Sequence, residues 1–403
     1  MNTLGLSWRY LWSRPLSTVL NLLMLTLGVA AMVFVLSARE QLTHTFERDL
    51  AGIDAVVGAK GSPIQLIMSG VFHLDVPPGN IRLADLEQLR QHPQVAAIIP
   101  LSLGDNLGGY RIVGTTPDYV ALYGAELAQG TLWNAPMQAV LGAQVAASSG
   151  LGLGQSFVGV HGLDPVGKAH DQWPYTITGI LAPCGCVLDR LVLTATESVW
   201  LVHDDLHGMA QMSPEERAAV EAEREVTMAL IRYTTPLAAV TFPRFVNEQT
   251  NMQAAAPALE LTRLLTLLGA GTQVLQGFGL TLLLMAALSV FVALWQAVRE
   301  READLAMLRM LGTPPRRLVA LLLTEAFALA LLALLLGLAL AQGLLAALGG
   351  WLPTGAATLV QAAHWSPTLL WVPLGVLLLA LLAAALPAWR VHRLDVLTLL
   401  NRS

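Results

Sequence analysis

Arg299-Glu300-Arg301-Glu302-Ala303-Asp304-Leu305-Ala306-Met307-Leu308-Arg309-Met310-Leu311-Gly312 is a charged, helix-favouring segment set between two long apolar runs. Its apolar positions Leu305, Leu308 and Leu311 recur at three-residue steps, with Asp304 and Arg309 turned to other faces of a helix. The flanking runs would dissolve in hydrocarbon, so a short polar helix between them belongs at a membrane surface.

The rest of the chain agrees. A chain of 403 residues that is 55% hydrophobic and 13% charged, with mean hydropathy +0.58, is too apolar for an ordinary soluble domain. Four runs, 18–38, 269–298, 318–348 and 367–389, each supply the ~20 residues of helix that a hydrocarbon core of about 30 Å requires. Arg9 and Arg14 before the first run imitate a secretory signal. The run exceeds the ~7–15 residues of a signal core, and Leu36-Ser37-Ala38 is a poor cleavage site, so it reads as an uncleaved anchor. Within residues 1–17, Leu4, Trp8 and Trp12 beside the two arginines form the stripe of an interfacial amphipathic helix.

Basic residues set the orientation. Arg9 and Arg14 precede the first run, Arg299, Arg301, Arg309, Arg316 and Arg317 occupy segment 299–317, and Arg390, Arg393 and Arg402 lie in the tail 390–403. Segment 349–366 has neither Lys nor Arg. The positive-inside rule then puts both termini and 299–317 in the cytoplasm, with 39–268 and 349–366 outside. The net charge of −5 gives no sign of a nucleic-acid partner.

The segment 39–268 reads as a folded α+β domain with one or two subdomains. Strand patterns fall at Ile53–Val57, Val95–Leu101, Tyr110–Val113, Phe157–Val160, Tyr175–Leu181, Leu191–Thr194 and Val226–Tyr233. Helices are expected at Ala84–Gln91 and Leu237–Glu248, and from Ser213-Pro214-Glu215-Glu216, a capping box with Pro at the first helical position, to about Arg224.

With these features together, the chain resembles the FtsX/MacB/LolC-like ABC-transporter permeases of the mechanotransmission (type VII) class. Arg301, Asp304, Leu305, Leu308, Arg309, Leu311 and Gly312 match the family's Arg-x-x-Glu-Ile-x-x-Leu-Arg-x-Leu-Gly coupling segment, with Asp304 for the usual Glu. Arg111-Ile112-Val113-Gly114-Thr115-Thr116-Pro117-Asp118-Tyr119, Gln138-Ala139-Val140-Leu141-Gly142 and Leu151-Gly152-Leu153-Gly154-Gln155 are similar to passages of its outer domain. Pro387-Ala388-Trp389-Arg390-Val391-His392-Arg393-Leu394-Asp395 resembles its closing motif, with Val396 in place of the final Pro. The resemblance implies a membrane α-helical fold: four transmembrane helices with a large α+β extracytoplasmic domain between helices 1 and 2. It further implies a permease subunit in a bacterial inner membrane, partnered by a cytoplasmic ABC ATPase dimer, by a second copy or paralogous permease, and by a periplasmic partner or substrate protein. Two alternatives are a zinc-linked transport system and a signalling scaffold that activates a periplasmic partner.

No nucleophile–base motif points to an enzyme. Gly162-Leu163-Asp164-Pro165-Val166-Gly167-Lys168-Ala169 imitates a P-loop, but Ala169 stands where Ser or Thr must hold Mg²⁺, and the segment is placed outside. No cofactor is expected in this chain, since ATP and its Mg²⁺ would be bound by the partner subunit.

Two further groups carry chemistry. Cys184 and Cys186 sit in Ala-Pro-Cys-Gly-Cys-Val-Leu-Asp, with His161, His170, His203 and His207 elsewhere in the same domain. Cys184, Cys186, His161 and His170 form a candidate site for zinc or copper(I), which favour thiolate and imidazole. The competing readings are a local turn with surface histidines and a reducible disulfide. Glu325 is the one carboxylate in the four runs, either hydrogen-bonded to a neighbouring helix or part of a proton relay. Gly277, Gly279, Gly337 and Gly343 are expected to allow close helix approach.

Overall fold

The computed structural model describes residues 15–162, 167–203, 213–300, 307, 309–310, 312–351 and 367–392. Among them, Pro15–Asp49, Pro257–Glu300, Pro315–Trp351 and Trp371–His392 are helices long and apolar enough to cross a membrane. Leu and Ala favour helix intrinsically, and in hydrocarbon only a helix satisfies its own backbone within one segment. The first two helices outrun their apolar windows. At 1.5 Å per residue, the 35 residues of Pro15–Asp49 span about 52 Å and the 44 of Pro257–Glu300 about 66 Å, against about 30 Å of hydrocarbon. The apolar window fixes the part that lies in lipid, while helix-compatible polar sequence carries each helix further.

The four helices pack through small and branched side chains. Leu25, Ala286, Val290, Leu322, Ala326 and Ala384 share one buried cluster, and Val29, Val33, Leu283, Ala330 and Val376 another. Gly337 is required by close approach: a Cβ there would lie 2.7 Å from Val29 Cβ and 3.1 Å from the Thr26 carbonyl. Gly279 makes ordinary contact with Met32, whereas an added Cβ at Gly277 or Gly343 would meet nothing within 4 Å. Among the described residues of the single chain, those two glycines do not serve the close packing expected of them. Glu325 is buried on Pro315–Trp351. Asn21, unremarked in the sequence, is also buried and accepts a hydrogen bond from the Ser289 hydroxyl.

The inserted domain is built on twelve strands among the described residues. In chain order they are β1 (Ala55–Ala59), β2 (Ile81–Arg82), β3 (Val95–Leu107), β4 (Tyr110–Thr115), β5 (Leu127–Gly130), β6 (Gln138–Leu141), β7 (Ser156–His161), β8 (Ala169–Leu181), β9 (Val192–Ala195), β10 (Glu225–Val226), β11 (Met228–Tyr233) and β12 (Met252–Ala255). Ten of them form one sheet in the order β12-β1-β11-β3-β4-β9-β6-β8-β5, with β7 pairing β3 and β8.

The 13-residue strand β3 divides the domain into two lobes. Its first half pairs antiparallel with β11, from Val95↔Tyr233 to Leu101↔Met228. Its second half pairs with β4, from Ser102↔Gly114 to Leu107↔Tyr110. Thr227 fills the change of partner: its amide donates to the Leu101 carbonyl at 2.9 Å, and its hydroxyl accepts the Leu103 amide, also at 2.9 Å. The first lobe buries Val57, Leu86, Ile98, Ile231, Phe242 and Val246 under the helices Leu83–Arg90 and Ala238–Gln249. The second buries Ile112, Leu141, Val145, Tyr175, Ile177 and Val192.

Local signals in the sequence explain several boundaries. The capping box forms: Ser213 Oγ accepts the Glu216 amide at 3.2 Å and Glu216 accepts the Ser213 amide at 2.7 Å, starting the helix Pro214–Ala222. Strand β3 runs past the expected Leu101 because it changes partner there, and β8 starts at Ala169 rather than Tyr175 because it pairs back onto β7. The P-loop imitation therefore falls on the β7–β8 connection, of which residues 163–166 lie outside the described ones, and a strand rather than a helix follows it.

Candidate functional site

Two clusters in the inserted domain carry chemistry. The first begins at the end of the first long helix. Asp49 is fully buried; its carboxylate accepts the Val187 amide at 3.0 Å and the Arg190 Nη2 at 3.3 Å. Arg190 is itself buried and donates from Nη2 to the Phe72 carbonyl, also at 3.3 Å. Tyr123 donates its hydroxyl to the Asp49 carbonyl at 2.8 Å. Burial pulls the Arg190 guanidinium below its ordinary pKa, and the Asp49 carboxylate works against that pull.

The Arg111–Tyr119 motif completes this cluster. Arg111 lies on β4 and donates to the carbonyls of His73 and Asp75. Burial lowers its pKa to about 10, with Asp75 opposing. His73 Nε2 lies 3.0 Å from the hydroxyl of the buried Tyr119. Burial, then Arg111, then Arg190 hold His73 well below the ordinary histidine pKa, so this imidazole is neutral. Segment 184–190 closes the cluster. Cys184 and Cys186 are joined in a disulfide, and the Asp189 carboxylate accepts the amides of Cys184 at 3.0 Å and Gly185 at 2.7 Å.

The second cluster gathers Asp105, His161, His170 and His203. Asp105 lies in the second half of β3, and the antiparallel β3–β7 register sets His161 directly opposite it. The β7–β8 hairpin brings His170, with His161 donating its amide to the Lys168 carbonyl at 3.0 Å. His203 is the last residue of the helix Thr196–His203. That helix lies close on β4 because residue 114 is glycine: a Cβ there would come 2.6 Å from Val199 and 3.1 Å from Thr196 Cα.

Asp105 Oδ1 is 3.3 Å from His161 Nδ1, 3.4 Å from His170 Nε2 and 3.7 Å from His203 Nε2. His203 Nε2 and His161 Nδ1 are 3.3 Å apart. Asp105 is 4% exposed, and neither carboxylate oxygen accepts a hydrogen bond among the described residues. Beneath it, burial and then the Asp105 charge push the Tyr175 phenol above its ordinary pKa. A cleft of about 500 Å³ opens beside His161 and His203, lined also by Trp200, Glu223, Arg224 and Thr227 at the junction of the lobes.

The set expected from the sequence is thus divided. His161 and His170 converge, joined by His203, but Cys184 and Cys186 do not enter the ligand set: their sulfurs bond each other and the segment packs with Asp189 and Arg48. Sequence reasoning missed Asp105, which lies in Leu103-Gly104-Asp105-Asn106-Leu107, where Gly, Asp and Asn hide the continuation of the strand. Of the coupling residues, Arg301, Asp304, Leu305 and Leu308 lie outside the described residues, as do His207 and most of the N-terminal segment. Arg309 is helical, and Gly312, at φ 88°, takes the left-handed conformation with its amide on the Arg309 carbonyl at 3.1 Å.

The chain has one apolar helix of membrane-spanning length, an inserted α+β domain and three further such helices among the described residues. The sequence matches the MacB-like periplasmic core domain over residues 18–241 and the FtsX-like permease C-terminal domain over residues 277–396. The chain belongs to the MacB/FtsX-like permease family. Among solved structures it is similar to the periplasmic region of MacB from Actinobacillus actinomycetemcomitans, at 12% identity and TM-score 0.34, covering 53% of this chain and 95% of that one. It is also similar to the extracellular domain of the noncanonic ABC-type transporter YknZ from Gram-positive bacteria, at 8% identity and TM-score 0.30, covering 49% and 97%. No curated protein matches the chain.

Proposed function

We propose that this permease is the mechanotransmitting subunit of an ABC transporter in a bacterial inner membrane, with both termini and segment 299–317 in the cytoplasm. A separate ATPase dimer binds and hydrolyses ATP and docks on segment 299–312. Leu305 and Leu308 serve as apolar anchors, and Asp304 and Arg309 fix orientation by charge. Two permeases, identical or paralogous, act together, and the motion extracts, expels or releases a substrate on the periplasmic side.

The observation that carries this reading is the fate of the first helix. It contains an apolar window of membrane length, continues past it, and ends at Asp49 in a buried ion pair. Asp49 is bonded to Arg190 of the second lobe, and Arg190 also holds the Phe72 carbonyl of the first. In this reading a displacement of the helix along its axis is passed to the lobes rather than absorbed by a linker there.

The docking half of the proposal is tested by Leu308→Asp. The variant is expected to insert in the membrane but to lose co-purification with the ATPase and stimulated ATP hydrolysis. Undiminished association in that variant contradicts the docking surface.

A further inference from the structure

We infer that Asp105, His161, His170 and His203 form a four-coordinate zinc(II) site in the inserted domain, a site independent of the transport mechanism proposed above.

Distances come first. A tetrahedral zinc ion with bonds of about 2.0 Å sets its ligand atoms about 3.3 Å apart. Four of the six edges here measure 3.3, 3.4, 3.7 and 3.3 Å, and all four residues offer atoms within 4.8 Å of one another. The group is preshaped for an ion of this size.

His203 Nδ1 lies 2.9 Å from the Val199 carbonyl, which can only accept, so in the neutral ring Nδ1 carries the proton and Nε2 presents its lone pair to the cluster. A carbonyl on the far nitrogen is the usual orienting partner of a zinc-bound histidine. Asp105 supplies the independent observation: it is 4% exposed, and among the described residues both its oxygens lack a hydrogen bond. A buried carboxylate left in that state is costly, and a divalent cation between it and three imidazoles removes the cost.

The donor set selects the metal. Three nitrogens and one oxygen are too nitrogen-rich for Ca²⁺ or Mg²⁺, and without thiolate or thioether they do not favour copper(I). Imidazole with carboxylate in a tetrahedron suits zinc. His161 is exposed and borders the cleft, so the ion can enter and leave from solvent. The ligands come from β3, from β7 and β8, and from the end of the Thr196–His203 helix, so a bound ion ties four elements together beside the lobe junction.

The test uses the full-length chain in detergent, stripped with a chelator and titrated with zinc, with metal content measured after gel filtration. One equivalent is expected, together with the intense visible absorption of tetrahedral cobalt(II) when cobalt replaces zinc. His161→Ala/His203→Ala should weaken binding by more than about 100-fold, beyond the usual effect of losing an orienting partner. Cys184→Ser/Cys186→Ser should leave it unchanged. Should the histidine double variant misfold, the single His203→Gln carries the same comparison. Absence of stoichiometric zinc, zinc retained at full affinity in the folded histidine variants, or loss of zinc in the cysteine variant would each overturn the assignment.

Discussion

Asp49, the last residue of the Pro15–Asp49 helix, sets its carboxylate 3.3 Å from the Nη2 of Arg190, and both side chains are buried. A buried pair of this kind is a poor source of net stability, because desolvation offsets most of the attraction. It is a strong positional constraint nonetheless. Moving either partner leaves an uncompensated charge in the core.

Arg190→Met should therefore destabilise the protein by about 3–5 kcal/mol, since it strands the Asp49 carboxylate. Adding Asp49→Leu should recover a large part of that loss, the mark of a coupled pair. Denaturant unfolding of the full-length protein followed by tryptophan fluorescence reads both numbers. A single-variant cost below about 1 kcal/mol would show that the pair does not constrain the fold.

His73 predicts a pH dependence. Its folded pKa lies well below the ordinary 6.5, so the unfolded chain binds the proton more readily. The stability it contributes is complete above pH ~6.5 and falls as the pH drops below that value toward the folded pKa, by up to about 1.4 kcal/mol per pH unit. Thermal unfolding at pH 7.5 and 5.5 should show the drop, and His73→Gln should flatten it. An unchanged slope in that variant would place the dependence elsewhere.

Much of this architecture was legible in residue order. The four apolar runs give the helices because hydrocarbon allows few other backbone solutions. Ser213 and Glu216 announced a helix start because a capping box is a local interaction. The second cluster was half legible. His161 and His170 are joined by one hairpin, but Asp105 reaches them only through the β3–β7 register, which no local pattern encodes. Cys184 and Cys186 drew notice as ligands because their proximity in sequence cannot distinguish a shared metal from a shared bond. Asn21 was missed because its partner, Ser289, lies on another helix.

If ATP-driven motion reaches the inserted domain through the first helix, the distance between the lobes changes with it. Spin labels at the exposed Glu87, on the first lobe, and Ser148, on the second, would be introduced in a Cys184→Ala/Cys186→Ala background. The permease reconstituted with its ATPase is then measured by pulsed electron paramagnetic resonance with and without ATP. A shift in the Glu87–Ser148 distance distribution is expected on ATP binding, absent in Leu308→Asp and reduced in Arg190→Met. Identical distributions while the complex hydrolyses ATP at its normal rate would contradict it.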